Sequence, residues 1–375
     1  MPSDVFSAAS VRRALVIKLR HHGDVLLAAP VISALQHLAP GCEVDALVYR
    51  DTAPMLSLHP QLTQLHVIDR QWKKQGIWQQ IRAEARLLAQ LHARHYDLVI
   101  HLSVHKRGAW LTRLLRPHWS VAPRLNRKPG DNLNGNIGES FWARSFTHFY
   151  PGQSHPDRHT VESNLDSLRA LGLTPTSPDK QVILVPGTSA EARIDQLMMA
   201  HGLTAGQFIH IHPTSRWLFK CWPAERVAEL CQLLSSKGWP IVLTAAPDAQ
   251  EMAMIQTILA SRALSPSLNP KALIDLSGQL ALKELAALTS RAKLFVGVDS
   301  APMHIAAAMS TPTVAIFGPS GDHEWGPWQV VHHIVTSTNH VCRPCGRAGC
   351  NNSKISECLT TLPVTKVIAA CEDLL

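Results

Sequence analysis

The feature that most constrains this chain is a strand–helix alternation that runs along it twice. ALVIKL (14–19) is a short apolar run rich in branched residues, the pattern of a buried strand. HHGD (21–24) follows, then a helical pattern from Val25 to about Leu38 that stops at Pro40-Gly41. VDALVY (44–49) and QLHVID (64–69) read as strands, 75–94 as an amphipathic helix and YDLVIHL (96–102) as another strand. After a gap the alternation resumes. The strands are QFIHIH (207–212), PIVLTA (240–245), ALIDL (272–276), KLFVGV (293–298) and TVAIF (313–317). Helices over 224–236, up to about Ser261, over 281–290 and from Ala301 separate them, and PVTKVIAACEDLL closes the chain as a helix. Alternation of this kind predicts α/β folding, with parallel sheets covered by helices on both faces.

The expected architecture is therefore two Rossmann-like, doubly wound domains facing across a cleft. They span 1–175 and 176–362, and a terminal helix over 363–375 is placed to pack back on the first. Residues 172–188 carry the Pro, Gly and Ser signals of a linker. Residues 117–160, rich in Pro, Gly, Asn and Arg, read as a long, mobile, basic loop, and loops of that length are more often functional than idle.

Composition narrows the function. Hydrophobic residues are 46% of the 375 and charged residues 17%, enough apolar matter for two cores and too little charge for a disordered chain. The net charge of +8 sits in one half: residues 1–175 hold 21 Lys and Arg against 13 Asp and Glu, and the rest hold 15 of each. An anionic partner should meet the first half. No apolar run reaches 18 residues, and the first twenty residues lack the pattern of a secretory signal. The eight cysteines are then expected to be reduced thiols in a cytoplasm. G-x-x-x-x-G-K-[ST], G-x-G-x-x-G, G-x-S-x-G and H-E-x-x-H do not occur, which disfavours P-loop enzymes, dinucleotide oxidoreductases, α/β-hydrolases and zinc proteases.

In open α/β sheets ligands bind beyond the carboxyl ends of the strands, so unusual residues in post-strand loops mark the site. After the first strand, Gly23 permits a tight turn, and Asp24 is either a helix N-cap or a general base. HPTSRWLFKCWP (212–223) offers Thr214 and Ser215 as hydroxyl donors with Arg216 and Lys220 as cations. That set suits a pyrophosphate and equally a solvated basic loop. In TAAPDAQE (244–251), Asp248 or Glu251 either accepts from ribose hydroxyls or starts a helix. GVDSAPMHIAAAM (297–309) places Asp299 before Ser300 at an expected N-cap, with Pro302 in the first turn. The N–H groups of Ala301 and Met303 would then face an anion, while Asp299 would hold sugar hydroxyls. His304, one turn in, is a core residue or a ligand contact. Cys342, Cys345, Cys350 and Cys358 (C-x2-C-x4-C-x7-C) are four clustered thiols with the look of a structural zinc site, although the spacing is not that of a standard ribbon.

Three stretches taken in order, IKLRHHGDVLLAAPVISAL, HPTSRWLFKCWP and FVGVDSAPMHIAAAMSTPTVAIFGPS, resemble the lipopolysaccharide heptosyltransferases, glycosyltransferases of the GT-B fold. The likeness runs over nearly the whole chain. Through LVYRDTAPMLS, FWARSFTHF, VESNL and FKCW it is nearest to members that add the third, branching heptose. It implies a nucleotide-sugar donor, ADP-L-glycero-β-D-manno-heptose, and inverting transfer to the lipopolysaccharide inner core with no required cofactor and no catalytic metal. It makes the first domain acceptor-binding and the second donor-binding. On the matching positions it implies that Asp24 is the general base and that Lys220 contacts the donor phosphate and neutralises departing ADP. Thr214 and Ser215 also face the donor, Asp299 holds heptose hydroxyls, and Ser300, Ala301 and Pro302 form the phosphate-contacting helix start, with Met303 and His304 beside them. Many relatives have Ser-x-Gly-Asp where this chain has His21-His22-Gly23-Asp24, so a role carried by that serine does not transfer.

The acceptor is expected near His22 and Gly23 and at Arg124, Arg127 and Lys128 of the basic loop. It would be presented at the anionic cytoplasmic face of the inner membrane, where the enzyme would be cytoplasmic and peripheral. Two other readings stay open: a sugar-nucleotide epimerase on the same fold, and a non-catalytic sugar-nucleotide or nucleic-acid binder. Nucleic acid is disfavoured, because the basic residues are not interleaved with stacking aromatics and only 3 residues are Tyr.

Overall fold

The computed structural model of the chain describes residues 6–74, 76–125, 138–152, 157–263 and 272–375. It divides into two compact units, 1–183 and 184–375, so the division falls a little beyond the expected boundary at 175.

The first unit is built on six strands: β1 Arg13–Ile17, β2 Glu43–Tyr49, β3 Gln64–Ile68, β4 Leu98–His101, β5 Trp119–Pro123 and β6 His148–Tyr150. All pair in parallel, in the order β3-β2-β1-β4-β5-β6. Helices α1 His22–Leu26, α2 Ala29–Leu38, α3 Ile77–Ala93, α4 Lys106–Leu115, α5 Glu139–Ala143 and α6 Thr160–Arg169 connect them. β1 and β4 are buried nearly end to end, which is why they read as unbroken apolar runs rather than as alternating ones. Leu15, Ile17, Leu47 and Val99 meet Leu87 and Leu91 of α3 in one core.

Three sequence expectations are corrected here. The segment 117–160 is not one loop: β5, α5 and β6 lie within it, and Trp142 and Phe146 pack with Ala109 and Ala122 in a small core of their own. Three- to five-residue elements spaced by Pro, Asn and Gly carry too little periodicity to be recognised from pattern alone. The single helix read from Val25 to Leu38 is two, broken at Leu27-Ala28, just before Pro30. Gly23 sits inside α1 rather than in a turn, and its carbonyl accepts from the Leu27 N–H.

The second unit repeats the plan. Its helices are α7 Thr188–His201, α8 Ala224–Ser236, α9 Ala249–Ala263, α10 Leu282–Thr289, α11 Ala301–Ala308, α12 Asp322–Trp325, α13 Glu357–Thr360 and α14 Val364–Glu372. Its strands are β7 Ile209–His212, β8 Ile241–Leu243, β9 Leu273–Asp275, β10 Leu294–Val298, β11 Thr313–Phe317 and β12 His332–Thr336. The order β12-β11-β10-β7-β8-β9 is again parallel throughout. Counted from each unit's first strand, the two sheets have the same order. The terminal helix α14 buries Val364, Val367, Ala370 and Cys371 in the core of this second unit, against α8, β11 and β12. Its apolar stripe is used there.

Two features of the first unit can be tested directly. A Cβ on Gly108 of α4 would stand 2.3–2.7 Å from the ring of His101. That ring is fully buried, bonded to the His105 carbonyl and stacked on Phe146, so it has nowhere to go. Gly108→Ala is expected to lower stability by about 1–3 kcal/mol in urea unfolding. The second feature is Asp45, buried on β2. Burial raises its pKa, but His66, Arg94 and Tyr96 outweigh that and hold the carboxyl below its usual range. Arg94 Nε and Tyr96 Oη each donate to it at 2.7 Å. The stability it contributes is therefore present above an unfolded-state pKa of about 4, and is lost as pH falls through the lower folded-state value. Asp45→Asn should cost about 2–3 kcal/mol at neutral pH, and the gap from wild type should narrow below about pH 4 in unfolding measured across pH.

Candidate active site

In both sheets the strand order reverses beside the first strand, between β1 and β4 and between β7 and β10. Successive helices leave in opposite directions at that point, opening a crevice beyond the carboxyl ends of the two strands. Asp24 follows β1, Thr214, Ser215 and Lys220 follow β7, and Asp299 and Ser300 follow β10.

In the first unit, β1 passes through Lys18, Leu19, Arg20 and His21 into α1. His21 is the N-cap residue and Asp24 stands in the first turn, so the N-cap reading of Asp24 is overturned. Asp24 is buried, and its Oδ1 accepts no hydrogen bond among the described residues. Arg20 Nε lies 3.6 Å from that oxygen. Behind it, Lys18 is fully buried. Its ammonium donates to the Leu102 carbonyl (2.9 Å) and to Asn164 Oδ1 (3.1 Å), and Asn164 Nδ2 donates to the Leu27 carbonyl (2.9 Å). Burial pushes Lys18 down to about 8, against the pull of the Asp24 carboxylate. Asn164 thereby ties α6 to the β1 loop and to the α1–α2 junction. Sequence reading passed over Lys18 and Asn164; a lysine inside an apolar strand run was the available signal for the first. His22 Nε2 meets the Asp51 carbonyl at 3.0 Å. Arg124 follows β5 with its side chain exposed, and its backbone N–H donates to the Tyr150 carbonyl. Arg127 and Lys128 lie outside the described residues.

In the second unit the structure brings two of the chosen residues together. Lys220 Nζ donates to Asp299 Oδ2 at 2.6 Å, joining the loop after β7 to the loop after β10. Lys220 ends a short 3-10 turn, Leu218–Lys220, and its ammonium also lies 5.3 Å from the centre of the Trp217 ring. Ser300 is the N-cap residue of α11, as expected, with its hydroxyl turned back on the Val298 carbonyl. Of the two N–H donors expected to face an anion, that of Met303 is spent on the Ser300 carbonyl. The Met303 side chain is core, packed with Phe295, Ala306, Ala315 and Phe317. His304 is buried, 6.4 Å from the Trp325 ring. Gly297 lies opposite His212 in the β10–β7 register. A Cβ there would lie 2.6 Å from the Phe295 ring and 3.1 Å from the His212 carbonyl, so glycine is what lets the two strands close at this point.

The loop after β7 is anchored from below by a buried polar chain. Thr289 gives its hydroxyl hydrogen to the Leu285 carbonyl, so at 3.0 Å it must accept from His210 Nδ1. His210 Nε2 is then an acceptor, and takes the Thr244 hydroxyl hydrogen at 2.7 Å. Thr244 in turn accepts from His212 Nδ1 at 2.8 Å. The His210 imidazole, with one nitrogen donating and the other accepting, is thereby held neutral. Burial favours the neutral form of both imidazoles, pushing His212 down to about 3 and His210 well below the usual range. Thr214, next along, donates to Glu251 Oε2 at 2.7 Å, and Glu251 also accepts from the Ala246 N–H. Thr214 is wholly buried and its hydrogen is committed, so its expected place on the donor is corrected to a structural one. Glu251 is likewise taken up within the fold, and Asp248 accepts from the Gln250 N–H at the start of α9. Ser215 keeps its hydroxyl beside the Trp217 N–H at 3.4 Å.

The four cysteines do not form the expected zinc site. Cys342 and Cys345 are exposed, Cys358 is buried, and Cys350 Sγ accepts from the Glu357 N–H. Among the described residues, no three His, Cys, Asp or Glu side chains are arranged to hold a metal ion. The stretch is fastened instead by backbone contacts: Arg343 Nε donates to the Gly318 carbonyl and the Gly346 N–H to that of Pro319.

Comparison with known proteins agrees with this geometry. Residues 84–356 match the profile of glycosyltransferase family 9 (heptosyltransferase). The chain is 33% identical over 357 residues to lipopolysaccharide heptosyltransferase 3 of Escherichia coli K12, covering 95% of this chain and 96% of the relative. Among solved structures it resembles the family 9 glycosyl transferase of Veillonella parvula (TM-score 0.80, 22% identity, 99% of each chain). It also resembles the E. coli heptosyltransferase WaaC with ADP (TM-score 0.69, 21% identity, 97% of this chain and all of that one, 100%). These relatives favour transfer over the epimerase and non-catalytic readings. A match over most of the length, together with two parallel sheets whose switch-point loops carry Asp24, Lys220 and Asp299, shows that the chain is a GT-B glycosyltransferase belonging to glycosyltransferase family 9, the heptosyltransferases.

Proposed function

We propose that this enzyme moves L-glycero-D-manno-heptose from its ADP-β-linked donor to the inner core of lipopolysaccharide, with inversion at the anomeric carbon, and that it adds the branching heptose. The observation that carries this reading is the Lys220–Asp299 contact at the β7–β10 switch point. The relative named above supports lipopolysaccharide as the substrate, and the ADP in the WaaC structure supports the nucleotide.

The chemistry follows from charge. A carboxylate beside a phosphate site repels the phosphate unless it is compensated, and Lys220 compensates Asp299. When the donor's pyrophosphate arrives, the ammonium can turn to it while Asp299 accepts from sugar hydroxyls. The opening of α11 at Ser300, Ala301 and Pro302 then faces the phosphates with its positive dipole end. As the bond from the anomeric carbon to the pyrophosphate breaks, negative charge grows on ADP, and a cation already in place stabilises it. Asp24 takes the proton of the attacking hydroxyl. A buried carboxylate whose Oδ1 accepts no hydrogen bond among the described residues, with Arg20 Nε 3.6 Å away, is suited to that step. Lys18 and Asn164 act by positioning. The basic first unit suits an acceptor bearing phosphates and acidic sugars, presented at the anionic cytoplasmic face of the inner membrane, with Arg124 and the neighbouring Arg127 and Lys128 as its contacts.

Two variants test the assignment. Asp24→Asn should leave ADP affinity unchanged and lower kcat by about 10²–10⁴-fold with the donor and a truncated core acceptor, read by mass spectrometry. A near-normal kcat removes Asp24 as the base. Lys220→Ala should weaken ADP binding by about 10–100-fold in calorimetry and slow transfer at least as much. Unchanged affinity and rate would refute the phosphate role.

A further inference from the structure

A surface helix of a doubly wound unit normally buries one apolar stripe and shows water the rest. Helix α3 carries two. Leu87 and Leu91 enter the core. On the outside, Ile77, Trp78 and Ile81 are 70%, 81% and 52% exposed. At 3.6 residues per turn, Trp78, Ile81 and Ala85 lie about 120–180° around the helix from Leu87, so they form a separate row. The positions flanking that row are the exposed Arg82 and Arg86. The only acid of the helix, Glu84, is ion-paired to Arg107 of α4.

That ion pair joins two apolar rows. Glu84 stands three residues after Ile81, and Arg107 three before Trp110; residues so spaced share a helix side. Trp110 and Leu114 are 55% and 50% exposed, and the Trp110 ring is braced on Phe141 at 4.7 Å. Both rows leave half or more of their large apolar side chains exposed.

We propose that this face of α3 and α4 is the surface by which the protein lies on an anionic lipid bilayer. Ile77, Trp78, Ile81 and Trp110 would enter the boundary between headgroups and acyl chains, with Arg82 and Arg86 on lipid phosphates. Trp and Ile beside Arg, with the one carboxylate already paired, is the composition of a helix that rests in that boundary. The half of the chain that carries this face also carries the whole net charge of +8. A second copy of the chain fits less well, because a two-fold contact through this face would set Arg82 and Arg86 against themselves. The inference deepens the membrane-presented acceptor proposed above and rests on that reading for its purpose.

The test is co-sedimentation of the full-length protein with vesicles of phosphatidylethanolamine and phosphatidylglycerol, and with vesicles of phosphatidylcholine alone. Wild type should pellet with the first and release at high salt. The pairs Trp78→Ser with Ile81→Ser, and Arg82→Glu with Arg86→Glu, should each weaken that partition by about 10-fold or more while ADP binding is unchanged. Trp78→Gln alone, a milder change at an exposed site, should show a smaller loss in the same direction. Wild type left in the supernatant, or variants that pellet like wild type, would overturn the proposal. So would a wild-type dimer that light scattering shows to dissociate on Trp78→Ser with Ile81→Ser. Turnover on a soluble, deacylated core acceptor separates the two ideas. All variants should keep it. If wild type transfers to no acceptor, the functional reading fails while the vesicle result stands on its own.

Discussion

Everything that bears on chemistry in this molecule depends on where each parallel sheet reverses its strand order. A parallel strand must be followed by a crossover, and the crossover is right-handed, so strands added to the two sides of the first one send their helices to opposite faces. Only beside the first strand do two neighbouring loops part. β1 with β4 and β7 with β10 are those pairs. Lys220 and Asp299 are 79 positions apart in sequence and meet because their loops leave adjacent strands at such a point.

The two units solve the burial of charge differently. In the first, Lys18 is wholly buried and satisfied by a carbonyl and an amide, so the cation beside Asp24 is fixed by the fold and cannot be drawn off by a ligand. In the second, Lys220 and Asp299 keep some exposure and hold each other. Such a pair can exchange partners when an anion and hydroxyls arrive. Under the second site, the neutral His210–Thr244–His212 chain adds rigidity without adding charge.

Much of the fold was legible in the sequence. Fully buried parallel strands are apolar throughout, and α8 and β11 fall on the residues expected of them. β5, β6 and α5 were not legible: elements of three to five residues show little periodicity, and His and Tyr in β6 hide its apolar character. At the site, Asp24, Lys220, Asp299 and Ser300 stood out because charged or capping residues directly after apolar runs are conspicuous. Thr214 was misjudged for the same reason. Its type and place suit a ligand, and only the packing of Glu251 against it spends its hydrogen.

The sequence by itself determined the class of fold, the places of the long apolar strands, the family likeness and which strand-end loops carry conspicuous charged residues. Those follow from local periodicity and from residue types at strand ends. The tertiary structure decided which polar groups are already paired, that Lys18 is buried against the Leu102 carbonyl and Asn164, and that α14 belongs to the second unit's core. Each of these turns on distances between residues far apart in the chain. Whether a hydroxyl, an ammonium or a thiol is free depends on what the fold packs against it, and no local pattern encodes that.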